Sequence, residues 1–404
     1  MANPSFFQKD YRNLLDYLYD FSSCPFSELP FTDADNVVLS SFSYIPFEKF
    51  EPINENFIAK NIKDLCIDYL SWLKFGYFAK HYPDWMRKTI FLAMPLLKNE
   101  RFDDVKLISF GYYFSVKEQT QFGAFAFLLP DDTLAFVFRG TDCSLIGWKE
   151  DFSLAYKEST PGQEMSADFV KKQLALFPSK KFRLMGHSKG GNFAVYAASM
   201  LSSSQAENLL NVYDDDGPGQ NKTVYDSIGH QRIKNRIVHI VPINCIIGNL
   251  LNHEDISYAV EADEKTDLFN QHDLYTWKMD GLSFKKTPDV SAISKYIRDS
   301  VNELVVNKVK DKEEMETLVD ALFDAMEMTG IKNAEHIFSD LPGFLKKYIR
   351  SAMKTNKYDK KVLFKVLRYT VDCFTNHWGE YLANSKAEKE ALKTRVTYSE
   401  IEAY

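Results

Sequence analysis

The chain has 404 residues, of which 45% are apolar, 15% aromatic and 26% charged; that suffices for one large domain with an appendage, or for two to three domains of about 150 residues. A net charge of −7 lacks the basic excess of a general nucleic-acid binder, and 17 Gly with 14 Pro are too few for a low-complexity or collagen-like chain. There is no apolar run of about 18 residues to predict a membrane span, no secretory signal is expected at the amino terminus, and five scattered cysteines (Cys24, Cys66, Cys143, Cys245, Cys373) without CxxC pairing suit a reducing, cytoplasmic setting with no zinc pattern.

Residues 1–100 read as helical and aromatic-rich. Apolar residues fall at helical spacing over 13–19 and 62–75, and Pro25, Pro30 and Pro46 break the stretch between them. The apolar runs at 108–115, 122–129 and 134–138 predict strands, the last two joined by a tight turn at Pro130-Asp131-Asp132-Thr133. Ala167, Val170, Leu174 and Phe177 share one face of a helix. A short strand at 182–185 then leads into a helix at 190–201 whose small-residue face carries Ala194, Ala197 and Ala198, and further strands are expected at 209–213 and 237–241. Short apolar strands alternating with helices predict a mainly parallel sheet covered on both faces. From about residue 287 the pattern is helical: Met315, Leu318, Val319, Leu322, Phe323 and Met326 form a stripe, Gly330 is the expected cap, and 358–382 is another helix. The Lys/Glu runs at 308–314 and 386–393 read as solvated helix faces. Two parts are therefore expected, 1–286 built on the sheet and a helical 287–404.

The segment KFRLMGHSKGGNFAVYAASM contains Gly186-His187-Ser188-Lys189-Gly190, a G-x-S-x-G pattern fed by a strand and left by a helix. A turn that sharp brings the residues two before and two after the serine together, so glycine is needed at 186 and 190, and Gly191 lets the helix pack on the sheet. Ser188 is thereby the candidate nucleophile. His187, adjacent in sequence, cannot readily turn to serve as its base and reads as structural support.

The second informative segment is FRGTDCSLIGWKEDF, directly after the 134–138 strand. Acyl transfer passes through a tetrahedral oxyanion that two backbone N–H groups normally hold, one from the residue after the nucleophile and one from a loop after an earlier strand. Lys189 and Thr141 are the candidates, Gly140 permits close approach, and Arg139, Trp148 and Asp151 read as anchors of that loop.

FRGTD…GWKEDF followed by GHSKGG resembles the class-3 (fungal-type) lipases, with their F-R-G-T…W-x-x-D segment and G-H-S-L-G-G elbow. A family of bacterial lipase-3-like proteins is more similar still, with G-H-S-K-G-G-N, D-G-P-G and Q-H-D at positions matching 186–192, 216–219 and 271–273. The resemblance spans about residues 30–285. It implies an α/β-hydrolase fold and a serine hydrolase of carboxylic esters, lipid or acylglycerol among them, needing no cofactor; it leaves the substrate and the oligomeric state open.

A serine hydroxyl needs a base, and the base an orienting partner. Of the histidines after Ser188, His239 sits in a strand and His230 in the polar segment before it. His253 follows an apolar run. His272 lies in a polar loop after the expected last strand and matches the family's Q-H-D, so it is the candidate base, with His253 next. Class-3 lipases place the acid shortly after the strand corresponding to 237–241, where this chain has Asn244 and Cys245, neither a carboxylate. Asp216, at the end of the preceding strand, is the alternative. Asp214 and Asp215 read as a solvated strand end; Glu254, Asp255 and a dyad without acid stay open. The same nucleophile would serve a thioesterase, peptidase or acyltransferase, and a catalytically inactive relative would use the fold for binding. No G-x-G-x-x-G after a strand, Walker loop or H-E-x-x-H motif is present, so no metal is implied.

Overall fold

The computed structural model describes residues 11–50, 59–73, 82, 84–142, 144–266, 270–304, 312–328, 368–369, 372–373 and 375–388. Cys143, Gly330 and most of the expected helix at 358–382 lie outside them, as do parts of both Lys/Glu runs.

Among the described residues four α-helices come first: α1 (Leu14–Asp20), α2 (Asp33–Phe42), α3 (Ile62–Trp72) and α4 (Asp84–Leu96), with the short strand β1 (Lys60–Asn61) before α3. The prolines at 25, 30 and 46 hid α2, which runs between them. It starts at a capping box in which the Thr32 hydroxyl accepts from the Asp35 N–H and the Asp35 carboxylate accepts from the Thr32 N–H. Asp35 also holds Arg101 through Nη2 (2.5 Å) and Nε (2.8 Å), a buried ion pair that fixes α2 to the chain after α4.

Strands β2 (Lys106–Ser115), β3 (Thr120–Leu128) and β4 (Leu134–Phe138) form an antiparallel meander, with Leu128 opposite Leu134 across the expected tight turn. Then come α5 (Leu145–Ser153), α6 (Pro161–Leu176), β5 (Phe182–His187), α7 (Lys189–Ser199), α8 (Ser203–Glu207), β6 (Leu209–Asp215), α9 (Lys222–Tyr225), α10 (Ile228–Ile233) and β7 (Ile237–Pro242). Four strands follow among the described residues that sequence reading did not anticipate beyond 241: β8 (Tyr258–Val260), the small hairpin β9 (Met279–Asp280) and β10 (Ser283–Phe284), and the edge strand β11 (Lys286–Thr287). The described residues form a nine-stranded sheet in the order β1-β2-β3-β4-β5-β6-β7-β8-β11, parallel from β4 to β8.

Side chains alternate across this sheet as a period of two requires. Leu134, Phe136 and Phe138 of β4 join Leu184, Val212 and residues of α6 and α7 on one face. Ala135 and Val137 join Met185, Tyr213, Ile240 and the four amino-terminal helices on the other. Parallel strands joined by helices, with both faces covered and a strand–serine–helix elbow after β5, make this an α/β-hydrolase fold. The carboxyl ends of β4 to β7 come together at one edge, where ligands bind in open α/β sheets.

Two carboxyl-terminal helices, α11 (Ala292–Asn302) and α12 (Lys312–Met328), complete the described chain together with a helical stretch at 375–388. In the expected stripe Met315, Val319 and Phe323 are buried, and Phe323 packs edge-on to Phe152 of α5 at 5.5 Å. From α11, Ser294 Oγ donates to the Cys245 carbonyl, and Ser291, its N-cap, donates to Asn244 Oδ1 at 2.6 Å. That region thus braces the loop after β7. No helix among the described residues is long and apolar enough to cross a membrane.

Candidate active site

Ser188 stands between β5 and α7 with φ 59° and ψ −131°, a backbone conformation that costs an L-residue about 1–3 kcal/mol and persists only where its surroundings enforce it. Its N–H donates to the Asp215 carbonyl at 2.9 Å. A Cβ at Gly190 would run into the Phe138 carbonyl, and one at Gly186 into the Gly190 backbone. This is the steric demand the motif implies. A Cβ at Gly191 would strike Asp214 Oδ1. The Ser188 side chain, half-buried, makes no hydrogen bond to another described residue, and the backbone N–H groups of Thr141 and Lys189 are likewise unengaged by described residues. Lys189 opens α7, whose aligned peptide dipoles concentrate partial positive charge at that end.

His272 lies in a single 3-10 turn, Asn270–His272, brought back to the elbow from beyond β8. His187 holds it there. The His272 carbonyl accepts a hydrogen bond from His187 Nε2 at 2.8 Å, and the two rings lie 4.4 Å apart between centroids. Because a carbonyl can only accept, Nε2 carries the proton. His187 Nδ1 then accepts from the Tyr44 hydroxyl at 2.8 Å. Burial, with the neighbouring His272, pushes the His187 pKa well below the usual histidine range, so the ring is neutral and its tautomer fixed.

The other nitrogen-facing partner of His272 is Asp216. Its Oδ2 accepts from His272 Nδ1 at 2.6 Å, and its Oδ1 accepts from the Gly248 N–H at 3.0 Å and the Cys245 thiol at 2.9 Å. Asp216 is fully buried and, like Ser188, has positive φ (52°). Cys245, which stands where a class-3 lipase would supply its acid, is thus a donor to the carboxylate of the preceding strand. Burial and the Asp216 charge raise its pKa well above the usual thiol range, which keeps the S–H in place.

Other sequence expectations fall elsewhere. Trp148 and Asp151 are on helix α5, not on a loop. Asp151 Oδ2 accepts from the Thr141 hydroxyl at 2.5 Å. Burial raises its pKa to about 7, against the nearby Lys189 charge. Arg139 points away from that loop: its guanidinium donates to the Ser43 and Ile45 carbonyls (2.5 and 2.7 Å) and pairs with Glu48 at 3.0 Å, pinning the segment that carries Tyr44. A Cβ at Gly140 would meet the Tyr44 hydroxyl and the His187 carbonyl. Asp214 and Asp215 are not solvated; both are buried. Asp214 Oδ1 accepts from the Gly217 N–H, and its Oδ2 lies 2.9 Å from His239 Nδ1 as an ion pair rather than a directed hydrogen bond. His239 Nε2 donates to the Gly248 carbonyl at 2.9 Å; burial lowers the His239 pKa, but the Asp214 carboxylate and the Gly248 carbonyl together outweigh it and raise the pKa on balance. Asp215 faces the opposite side of the sheet, accepting from Asn36 (2.7 Å) and Ser40 (2.9 Å) of α2. His230, His239 and His253 line a cavity with Asp214 and Glu254 that does not include Ser188. Among the described residues no group of three or more His, Cys, Asp or Glu could hold a metal ion.

A family model described as Mbeg1-like matches residues 96–324, more than half of the chain and all of the site apart from Tyr44. The chain belongs to the Mbeg1-like family. Lipase II from Rhizopus niveus is similar over 51% of this Mbeg1-like chain and 69% of its own, at 16% identity and a TM-score of 0.28. The native Rhizomucor miehei lipase propeptide complex is similar over 51% and 58%, at 17% identity and a TM-score of 0.29. No curated protein matches the chain.

Proposed function

We propose that this protein is a serine hydrolase of carboxylic esters, working through an acyl-enzyme on Ser188. The observation that carries this reading is the buried Asp216 carboxylate 2.6 Å from His272 Nδ1, at the edge where the strained serine stands. With Nδ1 protonated and held by Asp216, His272 Nε2 keeps its lone pair and serves as the general base. It takes the Ser188 proton as the hydroxyl oxygen attacks the acyl carbon. The oxyanion that forms is held by the N–H groups of Thr141 and Lys189, aided by the α7 dipole. His272 then gives its proton to the leaving alkoxide, and the alcohol departs. A water enters, loses a proton to His272 and attacks the acyl-enzyme, releasing the acid and restoring Ser188. Tyr44 and His187 act as positioning residues for His272, and Cys245 and Gly248 for Asp216. Lipid esters such as acylglycerols are the substrate class the lipase-like motifs favour.

The test is labelling with a fluorophosphonate probe together with hydrolysis of chromogenic esters of graded chain length. Wild type should label and turn over, and Ser188→Ala should do neither. A panel of thioesters and amides reports the leaving-group preference. Equal labelling of wild type and Ser188→Ala, or none of either with the fold intact, would refute the proposal and leave a binding role.

A further inference from the structure

The lysine inside the G-H-S-K-G elbow has a side chain that the proposed chemistry leaves unused. Lys189 is fully buried, and a buried ammonium is unfavourable unless each proton is satisfied. All three are. Nζ donates to the Gln121 carbonyl (3.1 Å), to Gln121 Oε1 (3.0 Å) and to Glu150 Oε2 (3.0 Å). Glu150, 1% exposed, is equally saturated: Oε2 also accepts from the Gln121 N–H and Oε1 from the Gly162 N–H, both at 3.0 Å. Gln121 Oε1 accepts in addition from the Asp142 N–H at 3.3 Å.

These bonds have a particular placement. The two proposed oxyanion donors, Thr141 and Lys189, sit on chain segments far apart in sequence, and their spacing must be held to fractions of an ångström to match a tetrahedral intermediate. Lys189 provides one donor from its own backbone. Its ammonium reaches Gln121, which holds Asp142, the neighbour of Thr141. It also reaches Glu150 on α5, the neighbour of the Asp151 that accepts from the Thr141 hydroxyl. The ammonium and carboxylate charges cancel locally, so the pair acts chiefly through geometry.

We infer that the Lys189 side chain is a positioning residue that, through Gln121 and Glu150, locks the loop after β4 to the elbow and holds both oxyanion donors in register before substrate arrives. The inference rests on the Ser188 mechanism proposed above. It accounts for a charged residue at a motif position flanked by glycine and a buried helix.

The deciding variant is the double Lys189→Met, Glu150→Met, which removes both charges and leaves neither one unpaired. Apolar replacement of a buried ion pair is often neutral for stability, and the Gln121 and Gly162 N–H groups left without Glu150 lower stability rather than rate, so a purely structural role predicts a less stable but folded protein with normal turnover. Positioning predicts that kcat of the folded variant for a short-chain ester is lowered about 10²-fold, the scale of one lost oxyanion donor, with KM little changed. A trifluoromethyl ketone, which mimics the oxyanion, should lose affinity in parallel, whereas an uncharged substrate analogue should not. Gln121→Met is the second variant, kept in case the double one does not fold. It keeps the ion pair, removes Oε1 and with it the bonds from Lys189 Nζ and the Asp142 N–H, and should lower kcat at least tenfold. Folded variants that retain kcat within about threefold overturn the inference. Ser188-dependent labelling of wild type is measured in the same experiment; its absence brings down the hydrolase reading, and the inference with it, while its presence with unchanged variants brings down the inference alone.

Discussion

Replacing Asp216 by Asn tests the proposed mechanism at its most constrained point. The side chain is fully buried and its contacts among the described residues are asymmetric: two donors converge on Oδ1, from Gly248 and Cys245, and His272 Nδ1 alone meets Oδ2. An amide must therefore turn its oxygen toward the two donors and its NH2 toward His272. The imidazole then has to accept at Nδ1 and carry its proton on Nε2, so no lone pair faces Ser188. Loss of tautomer control of this kind costs about 10⁴ in turnover, or about 5.5 kcal/mol of transition-state stabilisation. Asn is nearly isosteric, so the variant should fold, with its melting midpoint within a few degrees of wild type. Steady-state hydrolysis of a soluble ester should show the loss in kcat with KM little affected, and fluorophosphonate labelling should slow by a similar factor. A loss below about tenfold in a folded variant would mean that Asp216 does not orient the base, and the mechanism would have to be rebuilt around an unassisted histidine.

Tyr44→Phe removes the hydroxyl that donates to His187 Nδ1 at 2.8 Å, and so loosens the His187 ring that holds the His272 carbonyl. One hydrogen bond of about 1 kcal/mol translates into a loss of kcat of about fivefold with KM unchanged; stopped-flow acylation checks it, and an unaltered rate would show that Tyr44 does not position the base. Asp215 gives a pH signature in stability. Burial raises its pKa from 3.8 to about 8 in the folded state, so the native protein keeps a proton that the unfolded chain releases. Its contribution is complete below about pH 4, is lost as pH rises toward about 8 and is constant above that, an upper bound of about 4 kcal/mol between about pH 5 and pH 8. Asp151, raised to about 7, acts in the same direction. Urea midpoints of Asp215→Asn should therefore fall less steeply with pH than those of wild type, and parallel curves would contradict the shift.

The elbow, the strand alternation and the segment after β4 are readable from the linear chain because their causes are local. Two glycines flank a serine within five residues, apolar side chains alternate every second position, and a Gly-Thr pair follows an apolar strand. Helix α2 escaped because flanking prolines are a strong local signal, whereas its capping box and its burial against the sheet only reveal themselves together. The Lys189–Glu150 pair was not read from the sequence, because the burial that obliges this lysine to meet a carboxylate belongs to the packed structure. Nothing local marks Tyr44 as a partner of His187, and its place at the end of a strand made Asp216 the leading acid without excluding Glu254, Asp255 or no acid at all. Those relations join residues 143 and 56 positions apart. They depend on how the sheet twists, where the loop after β8 returns, and which carboxylate is left dry once α11 braces the loop after β7. Local sterics and periodicity are properties of neighbours in sequence, so the chain itself determines the strand, the elbow and the list of candidates. Distances among buried polar groups depend on packing of the whole, where each donor goes to whichever acceptor water can no longer reach, and only the tertiary structure decides them.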